Sequence, residues 1–188
     1  MNKKLDIVAL CGSLRAASHN RMLMNLAIEC APSAMAVEVL DWRDVPVFDG
    51  DVFVKGLPAP VAALKARIAR ADGVLIVTPE YNFSVPGGLK NVLDWLSRGD
   101  DQPWPMKPVA IASASGGPLG GARMQYDLRK VLLYLNALVL AKPEVFCGMA
   151  QTKFDAAGKC TDDVTRKFAT DLMAAFERWV GGVAKMKA

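Results

Sequence analysis

The chain has 188 residues, of which 52% are hydrophobic and 22% charged, a composition typical of one globular domain. Its 23 basic and 19 acidic residues leave a net charge of +4, and no dense basic stripe predicts nucleic-acid binding. His19 is the one histidine in the sequence. A two-histidine zinc site and the H-E-x-x-H motif of metalloproteases are therefore excluded within this chain, and we expect no metal.

The cysteines and the apolar runs bear on where the protein resides. The four cysteines are scattered and form no C-x-x-C pair, which favours reduced thiols in a reducing compartment. The first apolar run is short and interrupted by Asp6, so it predicts a strand rather than a signal peptide. The longest apolar region, residues 131–141, falls short of the ~20 residues that a membrane span needs. We expect a cytoplasmic protein without a membrane partner.

Short runs rich in Val, Ile and Leu alternate along the chain with longer segments of helical periodicity. The runs predict strands over residues 5–10, 37–40, 73–78, 109–113 and 138–146. Apolar side chains at helical spacing predict helices over residues 21–31, 61–71, 89–96, 122–135 and 162–183. Lys142 and Pro143 interrupt the fifth strand and leave its start open. Residues 41–60, which are rich in Pro, Gly and Asp but also in Val and Phe, predict a structured surface loop.

The alternation of strands and helices predicts the fold class. Near-continuous apolar strands are typical of a parallel sheet covered by helices on both faces. Right-handed crossovers leave few topologies, and for five strands we expect the flavodoxin-like order 2-1-3-4-5. The prediction is a doubly wound α/β fold with a five-stranded parallel sheet, forming a single domain over residues 1–188. Ligands bind such sheets beyond the carboxyl ends of the strands, where strands 1, 3 and 4 are neighbours.

The loop after the first predicted strand, CGSLRAASHN, has the parts of a phosphate cradle. Gly12 permits a sharp turn, and Ser13, Ser18 and Asn20 supply short hydrogen-bonding side chains. Arg15 adds a guanidinium suited to phosphate, and the helix that follows attracts anions at its N-terminus. The loop lacks the G-K-[ST] and G-x-G-x-x-G motifs, so it favours a monophosphate held without metal. The alternative is that these residues only cap a helix.

The loops after the third and fourth strands supply flat surfaces. The segment PEYNFSVPGGLKN is stiffened by prolines and places Tyr81 and Phe83 where a planar ligand would lie against them. The segment SASGGPLGGAR allows close approach of the backbone through its glycines. Each loop alone is also explained as an ordinary turn or connection. Together, at one edge of one sheet, the three loops predict a phosphorylated flat cofactor, most simply FMN.

The motifs G-S-L-R-x-x-S-x-N and P-E-Y-N-x-S-x-P-G-x-L-K-N, followed by a G-G segment, resemble the NAD(P)H-dependent FMN reductase family. The resemblance is strongest to the quinone and chromate reductase branch and covers nearly the whole chain. It implies a flavodoxin-like fold, tightly bound FMN, and homodimers or homotetramers with the active site near a subunit interface. By position it implies that the phosphate is held by Ser13, Arg15, Ser18 and Asn20, that the isoalloxazine is lined by Pro79, Glu80, Tyr81 and Asn82, and that its other side is bordered by Ser113, Ser115, Gly116 and Gly117.

The resemblance also implies the reaction. NADPH or NADH would reduce the flavin and leave, and a quinone, chromate or similar acceptor would then take two electrons in ping-pong turnover. The flavin carries this chemistry, so we predict no catalytic side chain. Two alternatives stay open, an electron-carrying flavodoxin, which the net charge of +4 and Arg15 disfavour, and a reductase that supplies free reduced FMN. His19 occupies a variable position in the cradle, and we expect no pH-dependent contribution from it.

Overall fold

The computed structural model describes residues 3–187 of the chain. The strands of the sheet are β1 Leu5–Cys11, β2 Met35–Leu40, β3 Gly73–Val77, β4 Pro108–Ala114, β5 Leu138–Val139 and β6 Val145–Cys147. The α-helices are α1 His19–Glu29, α2 Gly50–Phe53, α3 Ala59–Arg70, α4 Gly87–Leu96, α5 Ala122–Tyr134 and α6 Asp163–Lys187, with a 3₁₀ helix at Ala150–Thr152.

The sheet has the order β2-β1-β3-β4-β5, with parallel pairing throughout. The predicted flavodoxin-like order is therefore confirmed. β1 lies between β2 and β3, in a register that pairs Leu10 with Leu40 on one side and Cys11 with Val77 on the other. β3 pairs in turn with β4, so the carboxyl ends of β1, β3 and β4 meet at one edge of the sheet. This edge is where the polar loops leave the sheet.

The segment predicted as one fifth strand forms two strands, so the sheet has six strands instead of five. β5 pairs with the start of β4, at Pro108 and Val109. β6 pairs with its end, from Ala112 to Ala114. Pro143 lies between β5 and β6, and since proline has no backbone N–H, it cannot take part in a continuous ladder.

Helices cover both faces of the sheet, as predicted. One apolar core is formed by α1 and α6 against one face, with Leu23 and Phe176 among its fully buried side chains. The other core is formed by α3, α4 and α5 against the opposite face, with Ile68, Leu93 and Leu128 buried in it. β3 and β4 are buried along their whole length, which explains their continuous apolar sequences. No helix within residues 3–187 is long and apolar enough to cross a membrane.

Residues 41–60 form a structured loop, as the sequence predicts, although the short helix α2 within it was not predicted. The Trp42 indole N–H donates to the carbonyl of Cys11 at 2.8 Å, at the end of β1. The carbonyl of Pro46 accepts hydrogen bonds from the side chains of Asn91 and Trp95, both at 2.8 Å. These bonds fix the loop against α4 and against the strand that leads into the first polar loop.

Candidate functional site

A cleft opens at the carboxyl ends of β1, β3 and β4, where the predicted site lies. Nine of the twelve predicted site residues line it, and Asn82, Ser113 and Gly117 lie outside its lining. The cleft is lined by Ser13, Arg15, Ser18, His19, Asn20, Pro79, Glu80, Tyr81, Ala114, Ser115 and Gly116. The structure therefore brings together residues from three loops that are far apart in sequence. Which of these residues contact a cofactor stays a prediction.

The first loop turns sharply because Gly12 lies directly against β3. Its N–H donates to the carbonyl of Val77 at 2.9 Å, and a Cβ atom on Gly12 would lie 1.8 Å from Thr78 Oγ1. The loop ends at Ser18, whose hydroxyl accepts a hydrogen bond from the backbone N–H of Asn20 at 3.2 Å and so caps α1. The sharp turn expected at Gly12 and the helix cap given as the alternative explanation are thus both present, and the cap orients the N-terminus of α1 at the cleft.

Asn20 joins the first loop to the end of β4. Its side-chain Nδ2 donates to the carbonyl of Ala114, and its Oδ1 accepts from the N–H of Ala114, both at 2.8 Å. The side chain is 3% exposed. The two hydrogen bonds use both the donor and the acceptor of the side-chain amide. Asn20 therefore positions the first loop against the end of β4, which is 94 residues away in sequence.

The phosphate end of the cleft carries positive charge and hydrogen-bond donors. Arg15 is exposed, its guanidinium is 3.5 Å from the carbonyl of Ala17, and no carboxylate within residues 3–187 pairs with it. The first turn of α1 contains no acidic residue to offset the positive end of the helix. Burial raises the pKa of the neighbouring Cys11 thiol, so that group adds no negative charge near neutral pH. With the Ser13 hydroxyl, these donors fit a phosphate monoester.

The second loop forms a tight hairpin with a strained turn. Tyr81 and Ser84 exchange two backbone hydrogen bonds, of 3.1 and 3.0 Å, across Asn82 and Phe83. These two central residues have φ of 50° and 67°, the left-handed conformation that asparagine tolerates and phenylalanine disfavours. Tyr81 is 47% exposed at the rim of the cleft. The hairpin therefore forms one wall of the cleft.

This hairpin is tied to α5 by Arg123, a residue that sequence reasoning did not place in the site. The Arg123 guanidinium lies 4.0 Å from the centre of the Phe83 ring and donates to Glu80 Oε1 at 3.2 Å. Glu80 Oε2 also accepts from the backbone N–H of Met124 at 3.3 Å. Arg123 is 43 residues from Glu80, so no local pattern in the sequence announces the contact.

The third loop is held by the segment that follows β6. Ser115 pairs with this segment through two backbone hydrogen bonds, to Cys147 and Ala150, each of 3.0 Å. The carbonyl of Gly117 accepts from the N–H of Met149 at 3.0 Å. Gly116 and Gly117 are exposed, and Gly116 lines the open side of the cleft.

Ser113 lies beneath this loop and is fully buried. Its hydroxyl donates to the carbonyl of Gly120 at 2.6 Å and accepts from the Gln125 side chain at 2.8 Å. This hydroxyl shapes the turn into α5, and the predicted place of Ser113 beside the flavin stays a prediction. Within residues 3–187, no group of three or more His, Cys, Asp or Glu side chains is placed to hold a metal ion.

A parallel sheet of this order, with a polar cleft at its switch point, defines a flavodoxin-like protein. The family model described as NADPH-dependent FMN reductase matches residues 5–152. The chain belongs to this family, and the predicted class of enzyme, an oxidoreductase, is confirmed.

Individual relatives agree with this assignment. The chain is 48% identical over 183 residues to a quinone reductase of Escherichia coli (strain K12), covering 96% of this chain and 97% of that protein. It is 40% identical over 180 residues to an NAD(P)H-dependent FMN reductase of Pseudomonas aeruginosa, with coverage of 96% and 97%. The solved structure of the flavoenzyme NAD(P)H:(acceptor) oxidoreductase FerB from Paracoccus denitrificans matches with a TM-score of 0.86 and 34% identity, over 95% of this chain and 98% of that one.

Proposed function

We propose that this chain binds FMN in the cleft and uses NAD(P)H to reduce quinones by two electrons in ping-pong turnover. The observation that carries the proposal is the meeting of phosphate donors and flat walls in one cleft at the switch point. Relatives named quinone reductase and 2-hydroxy-1,4-benzoquinone reductase support a quinone as the acceptor. Chromate and similar oxidants are further acceptors in this proposal.

In this proposal the first loop binds and orients the phosphate. Arg15 supplies a planar pair of donors and Ser13 a hydroxyl, while the N-terminus of α1 supplies backbone N–H groups. Ser18 and Asn20 hold these donors in place through the cap and the bond to Ala114. When bound, FMN supplies a centre that accepts hydride from a nicotinamide and passes two electrons on.

The second and third loops would enclose the flat ring from two sides. Residues 79–81 would form one wall, and the backbone of Ser115 and Gly116 would form the other. Asn82 and Gly117 are the next residues along each loop. Glu80 is 12% exposed and already engaged by Arg123 and Met124, so its role is to hold the hairpin rather than to donate a proton. Arg15, Tyr81 and Gly116 are exposed at the rim, which leaves an open side where donor and acceptor would bind in turn.

The proposal extends to assembly and compartment. α5 exposes large side chains, with Leu133 at 76% and Tyr134 at 85%, which supports a homodimer or homotetramer. Light scattering of the purified protein tests this, and a monomer of about 20 kDa would refute it. All four cysteines are free thiols, which supports the cytoplasm as the compartment.

The visible spectrum of the purified protein tests the central claim. We expect two flavin bands that bleach with NADPH or NADH under anaerobic conditions and return when a quinone is added. A colourless protein that also takes up no added FMN would refute the cofactor assignment.

The same preparation separates the two alternatives. An electron-carrying flavodoxin would show the flavin bands without steady-state oxidation of NAD(P)H. A reductase that supplies free reduced FMN would lose its flavin during gel filtration and turn over only when FMN is added. Retention of flavin together with quinone-dependent NAD(P)H oxidation is the result that we expect.

A further inference from the structure

His19 lies at the phosphate end of the cleft, and no role has been assigned to it so far. It is the first residue of α1, is half-buried, and lines the cleft together with Ser13, Arg15 and Ser18. The sequence places His19 in the predicted cradle, and from the sequence alone we expect no pH-dependent contribution from it. The structure places this half-buried residue among the groups that fit a phosphate.

We propose that His19, in its protonated form, is an additional ligand of the FMN phosphate, so that FMN binds more tightly as the pH falls toward 6. The inference rests on the proposed function, because it assigns one more residue to the FMN site. Protonated imidazole donates from both ring nitrogens, and a charge-assisted hydrogen bond to a phosphate oxygen is a strong one.

The charges around the His19 ring determine whether FMN affinity rises or falls with pH. When the cleft holds no anion, the positive end of α1 and the Arg15 guanidinium make the local field positive. A bound phosphate reverses the sign of this field and so favours an imidazolium at His19 over the neutral ring. Tighter binding of FMN at lower pH would follow from this preference.

Carboxylates near the ring are engaged by other groups. Glu80, the one carboxylate among residues 3–187 that lines the cleft, is bonded to Arg123 and to the N–H of Met124. The first turn of α1 contains no acidic residue. The incoming phosphate would therefore be the principal anionic partner of His19.

The remaining titratable and charged groups lie on the elements around the N-terminus of α1. Tyr81 is contributed by the hairpin, and residues 114–116 contribute none. Arg21 follows on α1 and lies near residues 156–158 of the segment after the 3₁₀ helix. The carboxylate of Asp155 in that segment accepts hydrogen bonds from the backbone N–H groups of Ala157 and Lys159. On α6, the ion pair between Arg166 and Glu29 lies at the other end of α1.

The first test is the pH dependence of FMN affinity, measured by quenching of flavin fluorescence with flavin-free protein that has no polyhistidine tag. FMN phosphate itself titrates near pH 6, so wild type is compared with His19→Gln at each pH. Between pH 8 and pH 6, we expect the FMN affinity of wild type to rise roughly three- to tenfold relative to that of the variant. Riboflavin, which has no phosphate, serves as the matched ligand and should show no such gain.

Each other outcome overturns the inference in a distinct way. Equal pH slopes for wild type and His19→Gln refute the role of His19 and leave the proposed function standing. A His19-dependent slope with riboflavin refutes the phosphate as the partner. No FMN binding at either pH refutes the proposed function, and the inference falls with it.

The second test uses wild-type protein alone and does not depend on the variant folding. Because the sequence contains one histidine, its imidazole Cε1–H proton gives one assignable NMR signal in untagged protein. We expect the midpoint of its titration to be higher with FMN than with riboflavin. An equal midpoint with both ligands would overturn the inference.

Discussion

The phosphate end of the cleft, residues 12–20, and its ring end, residues 79–84, are built in different ways. The phosphate end is shaped by its own strand, turn and helix cap, and one buried side chain, Asn20, locks it to β4. The ring end is a small hairpin with two residues in the left-handed region, held by the exposed contacts of Arg123. Buried contacts are costly to lose and exposed ones are not, so we expect the phosphate end to be stiff and the ring end to be adjustable.

The largest effect is expected from Gly12→Ala, which tests how tightly the phosphate end is built. The new Cβ atom would overlap with Thr78, a fully buried side chain that has no room to move. We expect the free energy of unfolding to fall by about 3 kcal/mol, measured by urea denaturation.

Gly181→Ala is the matched control for this substitution. No atom lies within 4 Å of its added Cβ, and its site is within a helix, so we expect a gain of about 0.5–1 kcal/mol. If Gly12→Ala did not lower the free energy of unfolding either, the first loop would not lie as close to β3 as the structure places it.

Asn20→Ala is expected to cost about 2–3 kcal/mol of stability. It removes two buried hydrogen bonds and leaves the N–H and C=O of Ala114 without these partners. Asn25→Ala, on an exposed position of the same helix, is the control and should change stability by less than about 0.5 kcal/mol. Equal effects from the two substitutions would show that Asn20 does not lock the phosphate end.

The sequence predicted more of the phosphate end than of the ring end, because the phosphate end depends on local patterns. The sequence alone identifies a polar cap, a glycine and an arginine between a strand and a helix, without knowledge of the fold. The strand order was also readable, since buried parallel strands have continuous apolar sequences. Asn20 lines the cleft, and its role toward a cofactor stays a prediction, but its bond to Ala114, which is 94 residues away, could not be predicted from the sequence.

The parts that the sequence missed depend on tertiary contacts. Arg123 looks like any arginine at the start of a helix until the hairpin is packed beside it. Ser113 sits at the end of a strand, and its bonds to Gly120 and Gln125 beneath the loop could not be predicted from the sequence. The short helix α2 spans four residues, too few to show a helical period. The break in the fifth strand was signalled by Pro143, but its extent was not.

Arg15→Ala separates binding from stability at the phosphate end. The side chain is exposed and has no ion-pair partner within residues 3–187, so unfolding should be unchanged within about 0.5 kcal/mol. We expect FMN affinity to fall by roughly tenfold or more, equivalent to about 1.5–2 kcal/mol, as measured by fluorescence quenching.

Arg70→Ala removes the same charge from an exposed position at the end of α3 and controls for net charge. Its FMN affinity should equal that of wild type. An equal loss of affinity in both variants would mean that Arg15 acts through long-range charge and not as a phosphate ligand.

Arg123→Ala tests the adjustability of the ring end. It removes an ion pair with Glu80 and the contact with the Phe83 ring, for an expected cost of about 1 kcal/mol. We expect faster hydrogen exchange of the Tyr81 and Ser84 amides, while the amide of Ala114 keeps its protection. Arg123→Lys retains the charge. If its amides exchange as slowly as in wild type, the charge of Arg123 holds the hairpin. If they exchange as fast as in Arg123→Ala, the planar guanidinium is required.

The smallest effect is expected from Phe83→Asn, because two contributions oppose each other. Asparagine tolerates the left-handed conformation at φ 67°, which should relieve about 0.5–1 kcal/mol of strain. The substitution also removes the ring beneath Arg123, a contact worth about 0.5–1 kcal/mol at an exposed site. In wild type the two should cancel, whereas in the Arg123→Ala background, where the ring has already lost its partner, Phe83→Asn should stabilise the protein. Urea denaturation of wild type, of the two single variants and of the double variant measures this difference in the free energy of unfolding. Destabilisation in both backgrounds would mean that the ring, and not the arginine, holds the hairpin, and the ring end would then be as firmly built as the phosphate end.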